Sequence, residues 1–192
     1  MRGDTVIVFA RPPRLGAVKR RLARGIGAMA ALRFYRGQLA ATLAEVAADG
    51  RWRAILATTS ARAKAAWPRR LPRIAQAGGD LGDRMQHAMR PFRRAVLVGS
   101  DIPGLARADI AAAFRALGRA QAVFGPSEDG GYWLVGLGPR RPSRPFARVR
   151  WSTEHALADT LANFHGRRVA LLRRLRDVDT VEDLRAIQGG TP

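Results

Sequence analysis

Three acidic sites in this 192-residue chain have the residue types and the setting for cation or acid–base chemistry. The first ends the apolar run Ala95-Val96-Leu97-Val98-Gly99, where Ser100-Asp101-Ile102-Pro103 puts one carboxylate among turn formers. A run without polar side chains reads as a buried parallel strand, and ligands of open α/β sheets bind at the carboxyl edge of such strands. Asp101 is therefore a candidate metal ligand, although closing the turn would by itself account for an Asp there. The second site lies within Ala122 to Leu137, which begins and ends as strand. Between the strands, Gly125-Pro126 and Gly130-Gly131 bracket Ser127, Glu128 and Asp129. Such tight turning lets backbone approach a ligand while Glu128 or Asp129 points into the same space, with Tyr132 and Trp133 as an apolar platform; a hairpin turn alone would also explain the glycines. The third is Asp177-Val178-Asp179-Thr180, followed by Glu182-Asp183. Asp179 or Thr180 caps a short helix whose positive first turn suits Glu182 and Asp183, and one of Asp177 and Asp179 is left to face a cation.

Cations concentrate elsewhere. Arg11-Pro12-Pro13-Arg14-Leu15-Gly16-Ala17-Val18-Lys19 follows an apolar strand, Thr5 to Ala10, and precedes a helix. Strand, basic loop, then helix is an arrangement that aims backbone N–H groups and basic side chains at a phosphate. Neither the glycine spacing nor the ending of a Walker loop is present, and there is no dinucleotide fingerprint. A second glycine turn, Gly78-Gly79-Asp80-Leu81-Gly82-Asp83-Arg84, offers a surface against which a planar base can lie, with Asp80 as cap of the next helix.

The net charge is +19, from 34 basic and 15 acidic residues. Arginine is spread over every segment, Lys occurs only at Lys19 and Lys64, and alanine is abundant, so the charge reads as a compositional habit more than as a nucleic-acid stripe. Weak, salt-sensitive polyanion binding is still expected. Without cysteine there are no thiolate sites, and His87, His155 and His165 have no zinc spacing, so any metal is a hard, oxygen-bound one such as Mg²⁺ or Mn²⁺. No apolar stretch has membrane-spanning length and no signal pattern opens the chain; a cytoplasmic protein of one domain over residues 1–192 is the expectation.

The pattern predicts a strand at Thr5–Ala10, a long helix at about Ala28–Ala47 with Leu32, Tyr35, Leu39, Leu43 and Val46 inward, and strands at Ala54–Thr58 and near Arg73–Gln76. Next come a helix from Leu81, the Asp101 strand, a helix with Ile110, Phe114 and Leu117, and the acidic glycine loop between its strands. A helix at about Thr153–Phe164, a strand at Val169–Leu172 and a final helix complete it. Alternating strands and helices imply an α/β fold, a three-layer α/β/α Rossmann-like sandwich around a mainly parallel mixed sheet.

In this order the motifs resemble the glycosyltransferase-A-like family of small bacterial proteins, a domain of unknown function in the nucleotide-diphospho-sugar transferase superfamily, some of whose members are assigned as arsenosugar-biosynthesis glycosyltransferases. The resemblance rests on Phe9-Ala10-Arg11-Pro12 with Gly16-Ala17-Val18-Lys19 and Arg21-Leu22, and on Asp80-Leu81-Gly82 with Arg84-Met85. It continues through Gly99-Ser100-Asp101-Ile102-Pro103, Gly125-Pro126 with Glu128 to Tyr132, Trp151-Ser152-Thr153, and Asp177 to Thr180 with Glu182-Asp183-Leu184. It implies nucleotide phosphates on Arg11 and Lys19 and a shared metal on Asp101 and Asp179. Gly16, Gly78, Asp80 and Arg84 join the nucleotide side, and Gly130, Gly131, Tyr132, Trp151 and Ser152 the sugar or acceptor side. The chain departs from the family at Arg20, where Thr is usual, and lacks the strand-end Asp-x-Asp of many glycosyltransferases.

The expected function is transfer from a nucleotide-activated donor, with glycosyl transfer from a nucleoside diphosphate sugar to a small acceptor foremost and Asp129 or Glu128 as catalytic carboxylate. The alternatives are nucleotidyl transfer with pyrophosphate release and, more remotely, a non-catalytic nucleic-acid-binding protein. No specific nucleic acid and no membrane are expected as partners.

Overall fold

The computed structural model describes residues 3–59, 67 and 71–188. The strands β1 (Asp4–Ala10), β2 (Trp52–Thr58), β3 (Arg73–Ala75), β4 (Arg94–Gly99), β5 (Ala122–Pro126), β6 (Tyr132–Leu137) and β7 (Val169–Leu171) form one sheet in the order β3-β2-β1-β4-β6-β5-β7. Only β6 runs antiparallel to its neighbours, β4 and β5. The other pairings are parallel, with Val6 opposite Ala54 on one side and Val96 on the other. The helices are α1 (Arg20–Ile26), α2 (Ala28–Ala47), α3 (Leu81–Met89), α4 (Arg107–Ala116), α5 (Ala156–Ala162) and α6 (Val181–Gln188).

Alternation along the buried strands supplies both faces of the sheet. Val6, Val8, Val96 and Val98 point into a core closed by Leu39 and Leu43 of α2 and Ile110 and Phe114 of α4. Ile7, Leu97, Phe124 and Val135 point the other way, onto Met85 and Met89 of α3, Phe146 and Phe164. The sheet is thus sandwiched between helices, as the strand–helix alternation requires. A small third core of Leu22, Ala31 and Val178 ties α1 and α2 to the carboxyl-terminal segment.

Two details differ from the sequence reading, and a third is an alternative it held open. A separate helix, α1, precedes the long one, and Gly27, with φ of 82°, breaks the two apart. The helix expected from Thr153 begins only at Ala156 because Ser152 has a left-handed φ of 61° and the Thr153 hydroxyl donates to the Arg150 carbonyl. The acidic glycine loop is the turn of the β5–β6 hairpin, closed by the Ser127 N–H on the Gly131 carbonyl at 3.0 Å. Much of the Arg-rich connection before β3 lies outside the described residues.

Candidate active site

Three segments meet at the carboxyl edge of β1 and β4. The loop after β1 ends at Lys19, whose left-handed backbone (φ 47°) starts α1 and turns its side chain inward to 4% exposure. After β4 the chain delivers Asp101, and Lys19 Nζ lies 2.5 Å from its Oδ2. After β7 the chain runs on beside β5, the Leu175 N–H on the Pro126 carbonyl at 3.1 Å, and delivers Asp177 and Asp179. Val178 between them is fully buried, and with successive side chains alternating in an extended segment both flanking carboxylates remain on the cleft side. Asp179 Oδ1 accepts from Lys19 Nζ at 2.8 Å. Thr180, not Asp179, caps α6: its Oγ1 accepts from the Asp183 N–H, and Asp183 Oδ2 accepts from the Thr180 N–H.

Burial is the largest influence on the Lys19 ammonium and pulls its pKa down, but Asp101 and Asp179 together outweigh it and leave the pKa raised. Lys19 therefore stays a fixed cation. For Asp177, burial comes first and the charges of Asp129 and Asp179 add to it, pushing the carboxyl up to about 6 against the opposing pull of Lys19.

Tyr35 of α2, which the helical pattern assigns to the core alone, has a second task. Its ring is buried, but its hydroxyl donates to the Arg11 carbonyl at 2.9 Å, accepts from the Arg11 N–H at 3.0 Å and lies 3.2 Å from Ser100 Oγ. One phenol thus fixes the start of the basic loop against the end of β4. Periodicity places the ring and says nothing of the hydroxyl's partners, which arrive from two other segments.

Around this centre lies a cleft of about 610 Å³ lined on its cationic side by Arg11, Lys19, Arg20, Arg21 and Arg84. The Arg84 Nε is buried without a hydrogen-bond partner among the described residues. Gly16 and Gly78 do not line the cleft; Gly16 is a left-handed loop residue and Gly78 an exposed one before α3. Asp80 caps α3, its Oδ1 accepting from the Asp83 N–H, while its Oδ2 accepts from Trp151 Nε1 at 3.3 Å. That contact sets the Trp151 ring, and Gly82 beneath it is indispensable because a Cβ there would meet the ring at 2.9 Å. Trp151, Ser152 and Asp177 line both this cleft and a second cavity of about 260 Å³.

The second cavity contains Asp129, Gly131 and Tyr132. Asp129 Oδ1 accepts from Ser127 Oγ at 2.5 Å and from the Gly131 N–H at 2.9 Å, and Oδ2 has no partner among the described residues. Gly130, with φ of 83°, packs so tightly on the Glu154 backbone that a Cβ would stand 2.2 Å from its carbonyl oxygen, locking the hairpin turn to the Ser152 segment. Two sequence expectations are corrected here. Glu128 points away from the cavities and is held by Arg176, whose Nε donates at 2.6 Å to its Oε2. Trp133 is no exposed platform, because its ring is buried in the α2–α4 core with Nε1 donating to the Arg173 carbonyl; the ring that meets Tyr132 from the cavity wall is Trp151, edge-on at 6.4 Å.

Among the described residues no group of three or more His, Cys, Asp or Glu side chains is placed to hold a metal. Two hard oxygens, Asp101 Oδ2 and Asp179 Oδ1, do converge on one nitrogen. Since Mg²⁺ characteristically takes one or two carboxylates plus substrate phosphates, the chemistry of this pair fits a hard divalent cation. No helix among the described residues is long and apolar enough to cross a membrane.

The parallel sheet with one reversed strand and the cleft at its carboxyl edge define the nucleotide-diphospho-sugar transferase type of α/β fold. The family model described as an uncharacterized protein conserved in bacteria (DUF2064) matches residues 42–153, and the chain belongs to that family. It is similar to a protein of Desulfovibrio desulfuricans G20 assigned by inference as a nucleotide-diphospho-sugar transferase, at 30% identity over 97% of this chain and 87% of that one, with a TM-score of 0.89. The fold is shared with Rv0371c of Mycobacterium tuberculosis H37Rv, crystallised with manganese, at 20% identity over 98% of both chains and a TM-score of 0.58. It is shared too with 4-diphosphocytidyl-2C-methyl-D-erythritol synthase of Anaerococcus prevotii DSM 20548, at 10% identity over 97% of both chains and a TM-score of 0.61. No curated protein matches the sequence.

Proposed function

We propose that the chain is an enzyme, a nucleotide-using transferase that moves a glycosyl group from a nucleoside diphosphate sugar to a hydroxyl acceptor. The observation that carries this reading is the Lys19–Asp101–Asp179 cluster at the floor of a cleft walled by Arg11, Arg20, Arg21 and Arg84. Cations of this number in one concave site fit a diphosphate, and guanidinium groups suit its oxygens geometrically. Asp101 and Asp179 are the residues that would hold Mg²⁺ or Mn²⁺, which when bound supplies charge neutralisation on the leaving diphosphate. Lys19 provides a fixed positive charge at the same place, and Trp151 and Ser152 carry the path on towards the second cavity.

In that cavity Asp129 is oriented by Ser127 and Gly131, with Oδ2 free to accept the acceptor's proton. The new bond forms between the acceptor oxygen and the anomeric carbon. The bond from that carbon to the diphosphate oxygen breaks, and the nucleoside diphosphate leaves with the electron pair.

The same basic wall would also hold a nucleoside triphosphate, which keeps nucleotidyl transfer as the second reading. Released product separates the two: nucleoside diphosphate for glycosyl transfer, pyrophosphate for nucleotidyl transfer. A thermal-shift screen of nucleotides and nucleotide sugars with and without Mg²⁺ or Mn²⁺ identifies the donor first, since a ligand bound only to the folded state raises its stability. Asp101→Asn should abolish the metal-dependent part of that shift while keeping the fold. A variant that responds to Mn²⁺ and nucleotide as the parent does would remove Asp101 from the site.

A further inference from the structure

The two cavities share Phe9, Leu81, Trp151, Ser152 and Asp177 but differ in the charge of the rest of their walls. In a chain with 34 basic residues, the smaller one has no Arg or Lys among the described residues that line it. Its charged groups are two carboxylates, Asp129 and Asp177, neither in an ion pair among the described residues. The rest of the wall is largely apolar, with Phe9, Leu81, Met85, Ile102, Tyr132 and Trp151 prominent. Two carboxylates with no cation in the described lining repel a phosphate, and apolar walls offer nothing to replace its hydration.

Resting on the transferase reading above, we propose that this cavity is the acceptor subsite, and that it selects a compact hydroxyl compound with an apolar body, uncharged or cationic, over phosphorylated acceptors. Its size, about 260 Å³, suits a single ring or short branched chain. The faces of Tyr132 and Trp151 pack against that body. Asp129 and Asp177 accept from its hydroxyl or counter its positive charge. The donor's phosphates are thereby segregated from the acceptor: Arg11, Lys19, Arg20, Arg21 and Arg84 line the large cleft, and none of the described residues lining the small cavity is a Lys or Arg.

The experiment compares benzyl alcohol with benzyl phosphate, read by tryptophan fluorescence and calorimetry, on the free protein and on protein saturated with a nucleoside diphosphate so that the basic cleft is filled. The alcohol should bind saturably in both states, and benzyl phosphate at least tenfold more weakly in the nucleotide-loaded state. Ala156→Phe, which puts a ring at the cavity wall, should abolish alcohol binding and spare nucleotide binding. Thr153→Arg, a cation on an exposed lining position, should bring benzyl phosphate up by about tenfold and keeps the test alive should the first variant fail to fold. Equal or tighter binding of benzyl phosphate to the loaded parent, or alcohol binding untouched by Ala156→Phe, overturns the proposal. If no nucleotide binds, the transferase reading fails separately, while alcohol binding to the free protein and its loss in Ala156→Phe still decide what the small cavity takes.

Discussion

Lys19 and Asp179, 160 positions apart in the chain, meet at 2.8 Å, and the same ammonium reaches Asp101 at 2.5 Å. A nearly buried cation lies between two partly exposed carboxylates, and removing it leaves the acids facing each other.

Lys19→Ala should therefore lower stability by about 2 kcal/mol, less than a fully buried pair because water reaches Asp179, with a fall of about 4–8 °C in Tm. It should weaken nucleoside diphosphate binding by at least tenfold while affecting the nucleoside little, since the lost partner is phosphate charge. Mn²⁺ should stabilise the variant more than the parent, the competing ammonium being gone. Calorimetry with nucleoside and diphosphate checks this, and equal loss for both would make Lys19 a structural residue only.

Tyr35→Phe tests the link between α2 and the basic loop. The variant keeps the buried ring and loses the hydroxyl that joins Arg11 to Ser100. Stability should fall by about 1 kcal/mol, and diphosphate affinity by several fold through a loosened loop. Unchanged affinity at a lowered Tm would confine Tyr35 to the core.

Asp177 predicts a pH effect. Its carboxyl titrates at about 6 in the folded protein against 3.8 ordinarily, so the folded state binds the proton more tightly. The favourable contribution is complete below pH 3.8 and is lost as pH rises through about 6, making the ionised form a destabilising one at neutral pH. The full shift corresponds to about 3 kcal/mol, which solvent screening of a half-buried group reduces to ~1 kcal/mol. Asp177→Asn should accordingly raise the Tm of metal-free protein at pH 7.5 and leave it near the parent's at pH 4.5. A stability difference independent of pH would show that Asp177 is already ionised across the range.

These residues were not equally legible in the chain. Asp101 could be placed because an apolar run ending in Asp-x-Pro has one natural position in a parallel sheet, and Lys19 because a basic loop follows the first strand. Asp177 and Asp179 could be singled out as a pair but not apportioned. That required knowing that the Lys19 ammonium pairs with Asp179, a long-range contact that local pattern does not encode. Helical spacing assigns the Tyr35 ring to the core but does not encode its hydroxyl's partners, Arg11 and Ser100. Glu128 and Asp129 are adjacent and chemically alike, and only the distant Arg176 decides which of them turns away. The helix start at Ala156 was misplaced because nothing in Trp151-Ser152-Thr153 announces a left-handed serine.

Asp129 carries the prediction that separates chemistry from binding. Its Oδ1 is held by Ser127 and Gly131 inside the hairpin turn, and its other oxygen has no partner among the described residues, in the small cavity apart from the cationic wall proposed for the nucleotide. Asp129→Ala should remove turnover by at least a hundredfold, the usual weight of a lost general base, while leaving nucleotide affinity within about threefold of the parent. Asp129→Asn keeps the turn's hydrogen bonds and discards the base, so it should fail in the same way with no loss of stability. Ser127→Ala, which frees Oδ1 without removing the carboxylate, should give an intermediate loss in kcat at nearly constant KM. If Asp129→Asn retains full transfer activity, the residue is a turn former and the base lies elsewhere; if it abolishes nucleotide binding instead, the hairpin belongs to the phosphate side of the cleft.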